Sequence, residues 1–261
     1  MTVTKHELKR GKMSFFIWTG AIAFMLAVCV FLFPEMKGEM EEISDTFSSM
    51  GSFTEAFGMD KLSFGTLLGY YAIECGNVLG LGGAMFAALT AAGMLCKEER
   101  EKTAEFLLTH PLSRGRIVTE KLCGLLLQIV ALNLIVCVIT IGSMTAIGEE
   151  IPWKEMSLLH SAFFLLQVEM AGICFGISAF LRKGSIGIGL GMAGILYLTN
   201  IIANITESVE FLKNITPFGY CDGATIIADG KLDGGKIAIG MVFCIIGIGA
   251  AYIKYIQKDI Q

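Results

Sequence analysis

Few residues in this chain follow the spacing of a known catalytic or ligand-binding motif. The motif that is most nearly matched is one that binds nucleotides. Gly230, Gly235 and Lys236 follow the pattern G-x-x-x-x-G-K, in which backbone N–H groups and a lysine hold nucleotide phosphates. The next residue is Ile237, whereas the motif requires a serine or threonine for Mg²⁺, and a long apolar run follows. We interpret the stretch as a glycine-rich turn and expect this chain to bind neither ATP nor Mg²⁺.

The other patterns of hydrolytic enzymes are incomplete. The histidines form no H-E-x-x-H zinc motif, and no G-x-S-x-G nucleophile motif occurs. Glu98 and Glu99 begin the E-E-x-x-x-R pattern of membrane proteases, but Thr103 stands in place of the arginine. The eight cysteines include no C-x-x-C pair, so neither a disulfide framework nor a zinc site is indicated. The sequence predicts no catalytic residue, no cofactor and no metal site.

Polar residues inside long apolar runs are the other candidates for function, because their burial needs a reason. Glu169 lies in the middle of FFLLQVEMAGICFG, and a charge at the bilayer centre costs about 2.5–3.5 kcal/mol on insertion scales. It therefore needs a polar neighbour, a wet cavity or a proton, and it either lines a substrate path or subunit interface or orders the bundle internally. Glu74 follows two tyrosines and is expected near the outer surface. Asn133 and Asn200 are further candidates for lining a substrate path, although such amides more often form hydrogen bonds between helices.

The elements that carry these residues are apolar segments long enough to cross a bilayer. Hydrophobic residues make up 54% of the 261 residues and charged residues 17%, below the roughly 25% charge of soluble domains. A bilayer core requires about 20 apolar residues in a helix. The sequence predicts an all-α polytopic membrane protein, a single domain over residues 1–261, with spans at 14–33, 67–95, 117–147, 157–181, 186–205 and 237–256. The first run is too long for a cleaved signal peptide and is interpreted as a span.

The distribution of lysine and arginine predicts the orientation. With the N-terminus inside, the inner segments 1–13, 96–121, 182–185 and the C-terminal tail hold fourteen of the 20 basic residues. Because inner loops are enriched in these residues, both termini are expected in the cytoplasm. The outer loops are then 34–66 and 206–236, with a short turn between the third and fourth spans. The only large cytoplasmic feature is segment 96–121.

This segment, CKEEREKTAEFLLTHPLSRGRIVTEK, carries eleven charged residues in a largely apolar chain. Residues 97–109 contain no Gly or Pro, and Ala104, Leu107 and Leu108 share one helical face, which predicts an amphipathic helix. Two i, i+4 pairs support that helix, Glu98 with Lys102 and Lys97 with Glu101. A helix with both signs of charge and an exposed Phe106-Leu107-Leu108 patch suits a soluble protein partner better than anionic lipid. A bare inner loop obeying the basic-residue rule is the alternative.

Near the end of this segment, the sequence predicts that one helix ends and another begins. Pro111 ends the helix because it lacks an N–H and fixes φ. Ser113 can cap the following helix, while Arg114, Arg116 and Lys121 are expected to hold that end at the inner surface.

The run EREKTAEFLLTHPLSRGRIVTEK resembles the signature of ABC-2 type transporter permeases. In that family the loop after the second span carries E, then G-T or K-T, then E-x-L-L, then P-[LIV]-S-R, and a lysine shortly after. The matching positions are Glu101, Thr103, Glu105, Leu107, Leu108, Pro111, Ser113, Arg114 and Lys121. Lys102 stands where many members have glycine. A second stretch before the last span is similar to the family's S/T-P-F-x-Y-x-D segment, through Thr216, Pro217, Phe218, Tyr220, Asp222, Ile226 and Gly230.

The resemblance implies a permease subunit of an ATP-binding cassette exporter in the cytoplasmic membrane of a prokaryote. Residues 97–109 would form a coupling helix in a groove of a separate cytoplasmic ATPase, which binds ATP and Mg²⁺. Two permease subunits, identical or related, would pair with two ATPases; the lipid bilayer is the other partner, and no nucleic acid is expected. The residues expected to couple to the ATPase are Glu98, Glu99, Glu101, Lys102, Thr103, Glu105, Phe106, Leu107, Leu108 and Arg114.

Two other functions remain open from the sequence. One is a permease-like membrane scaffold or sensor that uses the motions of an ATPase without moving a substrate. The other is an ion-coupled carrier in which Glu169 is a proton site. Substrate-stimulated ATP hydrolysis separates transport from scaffolding, and transport driven by a pH gradient without ATP identifies the carrier.

Overall fold

The structure is a computed structural model that describes residues 2–48, 62, 65–103, 112–181 and 186–257. Across these residues the chain is helical and contains no strand. Six helical segments there are long and apolar enough to cross a membrane: Thr2–Gly38, Leu67–Ala92, Arg114–Ala146, Trp153–Phe180, Gly187–Ile205 and Gly234–Gln257, called spans 1 to 6. The prediction of an all-α chain with six membrane spans is confirmed.

The first helix, α1, runs from Thr2 to Ser48 and passes through Pro34. Its 47 residues give a length of about 70 Å, more than twice the roughly 30 Å of a bilayer core, so α1 extends beyond the membrane. Residues 34–48, the start of the predicted outer loop 34–66, therefore continue the helix of the first span. The apolar run ends near Phe33, but the Glu, Met and Lys residues that follow are good helix formers.

Span 2 is built from three pieces instead of one regular helix. Helix α2 spans Leu67–Cys75, a π-helix spans Gly76–Leu81, and α3 spans Gly82–Ala92. Thr66 caps the start of α2, since its hydroxyl accepts a hydrogen bond from the N–H of Gly69 at 3.2 Å. Short π-helical segments are rare and are frequent at functional sites, so this part of span 2 is a place to look for one.

The remaining helices follow the predicted order closely. They are α4 (Lys97–Arg100), α5 (Arg114–Ala146), α6 (Trp153–Phe180), α7 (Ile186–Ile205), two 3-10 helices (Glu207–Asn214 and Pro217–Tyr220), α8 (Gly223–Asp229) and α9 (Gly234–Gln257). The fifth span has the predicted bounds, and the third, fourth and sixth differ by a few residues. The predicted cap at Ser113 is confirmed, because its hydroxyl accepts from the N–H of Arg116.

The predicted continuous helix over residues 97–109 is wrong at its centre. Helix α4 ends at Arg100, and Lys102 adopts φ of 57°, a left-handed conformation that cannot continue a right-handed helix. Three charged side chains before it bind residues of other helices: Lys97 binds Glu7, Glu98 binds Lys121, and Glu101 binds Arg10. Residues 104–111, with Glu105, Phe106, Leu107 and Leu108, lie outside the described residues, as does the predicted inner turn at 182–185.

The spans associate mainly as two pairs, span 1 with span 3 and span 4 with span 6, while span 2 packs on spans 4 and 5. Spans 4 and 6 approach backbone to backbone at glycines: a Cβ added to Gly176 would lie 2.6 Å from the carbonyl oxygen of Gly247. Small residues permit such close contacts between helices in lipid. Large apolar side chains such as Phe16, Ile195 and Ile245 are exposed, which suits surfaces that face lipid.

Candidate functional site

A cluster of buried charges lies where span 2 ends and spans 1 and 3 begin. Lys121 of α5 has no exposed surface, and its Nζ lies 2.5 Å from Oε1 of Glu98 and 3.4 Å from Oε1 of Glu7. It also donates to the carbonyl oxygen of Met94 at 2.7 Å, while Lys97 pairs with Glu7 of α1. We call Glu7, Lys97, Glu98 and Lys121 the ion-pair cluster. It joins residues 93–103, which we call the segment after span 2, to α1 and α5.

A second ion pair flanks the cluster. Arg10 of α1 binds Glu101, and Arg100 lies 3.5 Å from the same carboxylate. The hydrogen bond from Arg10 holds the pKa of Glu101 below its usual value. Burial lowers the pKa of Lys97 because it disfavours the charged amine, and the nearby Lys121 acts in the same direction against the attraction of Glu7.

The first turn of α1 is fixed to α5 as well. The Glu120 carboxylate accepts hydrogen bonds from the N–H groups of Val3 at 2.9 Å and Thr4 at 3.4 Å. The Thr4 hydroxyl donates to the carbonyl oxygen of Glu120 at 2.9 Å, and Arg116 donates to the Glu120 side chain at 3.0 Å. A carboxylate at a helix N-terminus satisfies free N–H groups and opposes the positive end of the helix dipole. The N-terminus of α1 is therefore anchored.

The predicted ATPase-contact residues divide into two groups. Glu98, whose side chain is 12% exposed, and Glu101 are engaged by Lys121 and Arg10, whereas Lys102 and Thr103 are exposed. Arg114 donates to the carbonyl oxygen of Ile256 at 3.1 Å, so it links α5 to the end of span 6. Their role in binding an ATPase stays a prediction, as does that of Glu99, Glu105, Phe106, Leu107 and Leu108.

The structure corrects the expectation for Lys121, which is a buried ion-pair residue and not an anchor at the inner surface. Its amine turns toward Glu98 and Glu7, which satisfy it away from water. Sequence reasoning missed Glu7 and Arg10 as members of this site. One signal was available: Glu7 is the sole acidic residue among the four basic residues of segment 1–13.

Glu169 has the polar partner that its position in span 4 requires. Its side chain is 1% exposed, and Oε2 accepts a hydrogen bond of 3.0 Å from the hydroxyl of Tyr220. Gly240 of span 6 lies against the carboxylate and leaves no room for a Cβ. Burial raises the pKa of Tyr220, which keeps the phenol protonated as a donor. One carboxylate oxygen of Glu169 therefore has a partner inside the bundle, and whether this residue orders the bundle or lines a substrate path or subunit interface stays a prediction.

Asn133 and Glu74 lie elsewhere in the bundle. The Asn133 amide donates to Oε1 of Gln167 at 2.7 Å and to the carbonyl oxygen of Ile129, so it joins spans 3 and 4. Glu74 is half-buried and faces span 1, where the thiol of Cys29 lies 3.9 Å from its carboxylate. Neither arrangement brings these residues together with Glu169.

A polar pocket of about 60 Å³ lies between the π-helix of span 2, span 5 and the segment around Asp222. Of the four path candidates, Asn200 lines it. Asn77 of the π-helix is another lining residue, and its Oδ1 accepts a hydrogen bond of 3.3 Å from the hydroxyl of Tyr197. Sequence reasoning missed Asn77, although an amide in an apolar run was a visible signal. A pocket lined by amides and one carboxylate can receive hydrogen-bond donors.

The stretch that imitates a P-loop has a structural role in this part of the chain. Gly230 adopts φ of 60° and ends α8, and Asp233 accepts from the N–H groups of Gly235 and Lys236 at the start of α9. Lys236 lies 3.6 Å from Asp233 and donates to the carbonyl oxygen of Gly219. This agrees with the interpretation of a glycine-rich turn before the last span.

Comparison with known proteins identifies the family. The sequence model of a family described as "ABC-2 family transporter protein" matches residues 1–218, which hold five of the six spans and the charged segment. No curated protein and no solved structure matches the chain significantly. Members of this family are membrane subunits that work with ATP-binding cassette ATPase subunits. With its six apolar helices and this match, the chain is a multi-pass membrane protein that belongs to the ABC-2 family of transporters.

Proposed function

We propose that this protein is the permease subunit of an ATP-driven exporter in the cytoplasmic membrane of a prokaryote. Both termini face the cytoplasm, two permease subunits form the complex, and the segment after span 2 receives the separate ATPase. The observation that carries this proposal is the ion-pair cluster, which joins that segment to spans 1 and 3.

The ion-pair cluster supports coupling between the ATPase and the spans because its buried charges are costly to separate. Removing one partner from a buried ion pair costs about 3–5 kcal/mol, since the other charge is left without compensation. A displacement of Glu98 by the ATPase is therefore passed to Lys121 of α5, and a displacement of Lys97 is passed to Glu7 of α1. Arg114 extends the connection to the end of span 6. A nucleotide-dependent movement of the ATPase would reach three spans at once.

Span 2 gives this movement a route toward the pocket at the other end of the bundle. It ends next to the ion-pair cluster, and its π-helix forms one wall of the pocket that Asn200 lines. Because a π-helix departs from regular helical hydrogen bonding, it is a natural place for a span to change conformation. We assign the pocket to the outward half of the translocation path.

The proposal is tested by reversing a charge at each end of the bundle. Lys102→Glu alters an exposed residue of the segment after span 2, and Glu210→Lys alters an exposed residue after span 5. Each permease is co-expressed with its ATPase, and co-purification, ATP hydrolysis and transport into vesicles are measured. Lys102→Glu is expected to reduce all three, while Glu210→Lys leaves co-purification unchanged.

Equal behaviour of the two variants contradicts the assignment of the coupling surface. If an added compound accelerates ATP hydrolysis by the wild-type complex, transport is supported. Acceleration by protein partners alone supports a scaffold or sensor instead.

A further inference from the structure

We propose that a cavity beside the ion-pair cluster binds the phosphate headgroup of an anionic phospholipid. The cavity encloses about 270 Å³ between the first turns of α1, the end of span 2 and α5. Its lining includes the basic residues Arg10, Lys97 and Arg100, the apolar residues Leu89 and Met94, and the amide of Gln128. Basic pockets between helices at the cytoplasmic membrane boundary are suited to acidic lipid headgroups. The assignment to the inner leaflet rests on the proposed orientation.

The charges around this cavity favour an anion. Its lining contains three cationic side chains and one carboxylate, that of Glu7. Arg10 and Arg100 both turn to the Glu101 carboxylate, so two guanidinium groups share one negative charge. Their side chains remain 39% and 47% exposed. Each guanidinium has five N–H donors, so both retain donors for phosphate oxygens.

The position along the helices fits the boundary between headgroups and acyl chains. Arg10 and Gly11 stand just before the apolar run of span 1, and Gly93 follows the last residue of span 2. Both elements therefore place the cavity at the depth where the hydrocarbon core begins.

The surface beside the cavity suits acyl chains. Beyond Arg10, residues 14, 17, 21 and 25 continue one face of α1 at helical spacing. All four are exposed, and Ile17 and Met25 are large apolar members of this face. A headgroup in the cavity can extend its chains along this stripe, which a free nucleotide or inorganic phosphate cannot use. The combination of basic cavity and apolar stripe therefore favours a phospholipid as the occupant.

A bound headgroup would add to the contacts that hold the segment after span 2. A phosphate between Arg10 and Arg100 bridges α1 and α4, which Glu101 already joins from the other side. The anionic lipid content of the membrane would then influence how firmly the segment is held.

The test measures lipid retention by the full-length permease alone, without ATPase or transport, so its failure is separate from failure of the proposed function. Protein is reconstituted in nanodiscs of phosphatidylglycerol and phosphatidylcholine, extracted in detergent, and the retained lipids are counted by native mass spectrometry. Wild type is expected to retain phosphatidylglycerol preferentially. Arg10→Gln with Arg100→Gln should reduce its affinity roughly 25-fold, since each basic residue near the surface contributes about fivefold.

Two further variants make the test specific. Lys9→Gln with Lys12→Gln removes the same charge from exposed positions of α1 outside the cavity, and a much smaller loss is expected. Gly93→Leu fills the cavity without changing charge, because a Cβ at Gly93 meets no atom within 4 Å. It is expected to abolish preferential retention while the thermal unfolding midpoint is unchanged. Equal retention of both lipids by wild type, or equal losses in the two double variants, overturns the proposal.

Discussion

The charged residues after span 2 are distinguished by the direction of their side chains. Lys97, Glu98 and Glu101 turn toward other helices, while Lys102 and Thr103 are exposed. The predicted i, i+4 pair between Glu98 and Lys102 is wrong, because the helix ends at Arg100 and Glu98 binds Lys121. Among the described residues, Lys97, Glu98 and Glu101 therefore form ion pairs between elements. Lys102 and Thr103, which are exposed, are the better candidates for contact with a soluble partner.

Replacing Lys102 by glycine is expected to stabilise the protein. Its φ of 57° is unfavourable for a residue with a Cβ and free for glycine, the residue that many ABC-2 permeases have there. Lys102→Gly should raise the free energy of unfolding by about 0.5–1 kcal/mol. Lys9→Gly, at an exposed position inside α1, should lower it by about 1 kcal/mol. Thermal unfolding in detergent compares them, and a loss of stability in both variants contradicts the left-handed assignment.

The Arg10–Glu101 pair is expected to make stability depend on acid pH. The hydrogen bond from Arg10 holds the folded pKa of Glu101 below the usual value of a glutamate, so the pair contributes stability at pH values above that usual value. This contribution is lost as the pH falls through the folded value. The thermal midpoint of wild type should fall further between pH 6 and about pH 3.5 than that of Glu101→Gln. Glu210→Gln, at an exposed surface pair, is the control and should behave as wild type. Parallel curves for all three proteins argue against the pair.

At the scale of elements, the apolar runs allowed the spans to be predicted. The π-helix of span 2 and the polar partner of Glu169 could not be predicted from those runs. Span 5 has its predicted bounds because its apolar run and its helix coincide. The π-helix of span 2 was not predictable from its apolar run, and in the structure Phe163 of span 4 packs against it, 3.0 Å from where a Cβ at Gly80 would lie. Likewise, the composition around Glu169 required a polar partner but could not identify Tyr220, 51 residues away.

The contact between spans 4 and 6 is expected to depend on glycines that have backbone neighbours. A Cβ at Gly247 would lie 2.5 Å from the carbonyl oxygen of Gly172, so the two spans must move apart in Gly247→Ala. We expect a loss of about 1–3 kcal/mol, as for other overpacked sites. Gly249→Ala is a matched control in the same helix, because its Cβ would meet nothing within 4 Å. It should be neutral or slightly stabilising in the same unfolding measurement. Similar losses in both variants mean that the close approach is incorrect.

At the scale of the whole molecule, the helices are held together differently in two regions. In the first region, the ion-pair cluster joins span 1, the segment after span 2 and span 3, and Arg114 reaches the end of span 6. In the second region, Tyr220 joins the segment after span 5 to Glu169 in the middle of span 4, and a π-helix and short helices bound the polar pocket. Because buried charges are costly to separate, the first region is suited to transmit force. The second region is suited to change shape, because a π-helix departs from regular helical hydrogen bonding.

Lys121 is expected to be the residue on which this transmission most depends. Lys121→Met preserves much of the side-chain volume but leaves Glu7, Glu98 and the carbonyl of Met94 without their shared donor. Breaking a buried ion pair in this way should lower the free energy of unfolding by about 3–5 kcal/mol. In complex with the ATPase, the remaining protein is expected to hydrolyse ATP with little transport, because the segment no longer moves with α5.

Arg116→Gln provides the comparison, since it removes a base from the same helix whose side chain is 59% exposed. Its buried partner Glu120 keeps the hydrogen bonds from the N–H groups of Val3 and Thr4, so this variant should lose less stability than Lys121→Met and should transport as wild type does. The exchange Glu98→Lys with Lys121→Glu should not restore what Lys121→Met loses, because the carboxylate introduced at position 121 would face Glu7 and the carbonyl oxygen of Met94. If Lys121→Met unfolds and transports like Arg116→Gln, the ion-pair cluster does not hold the segment after span 2 to α5.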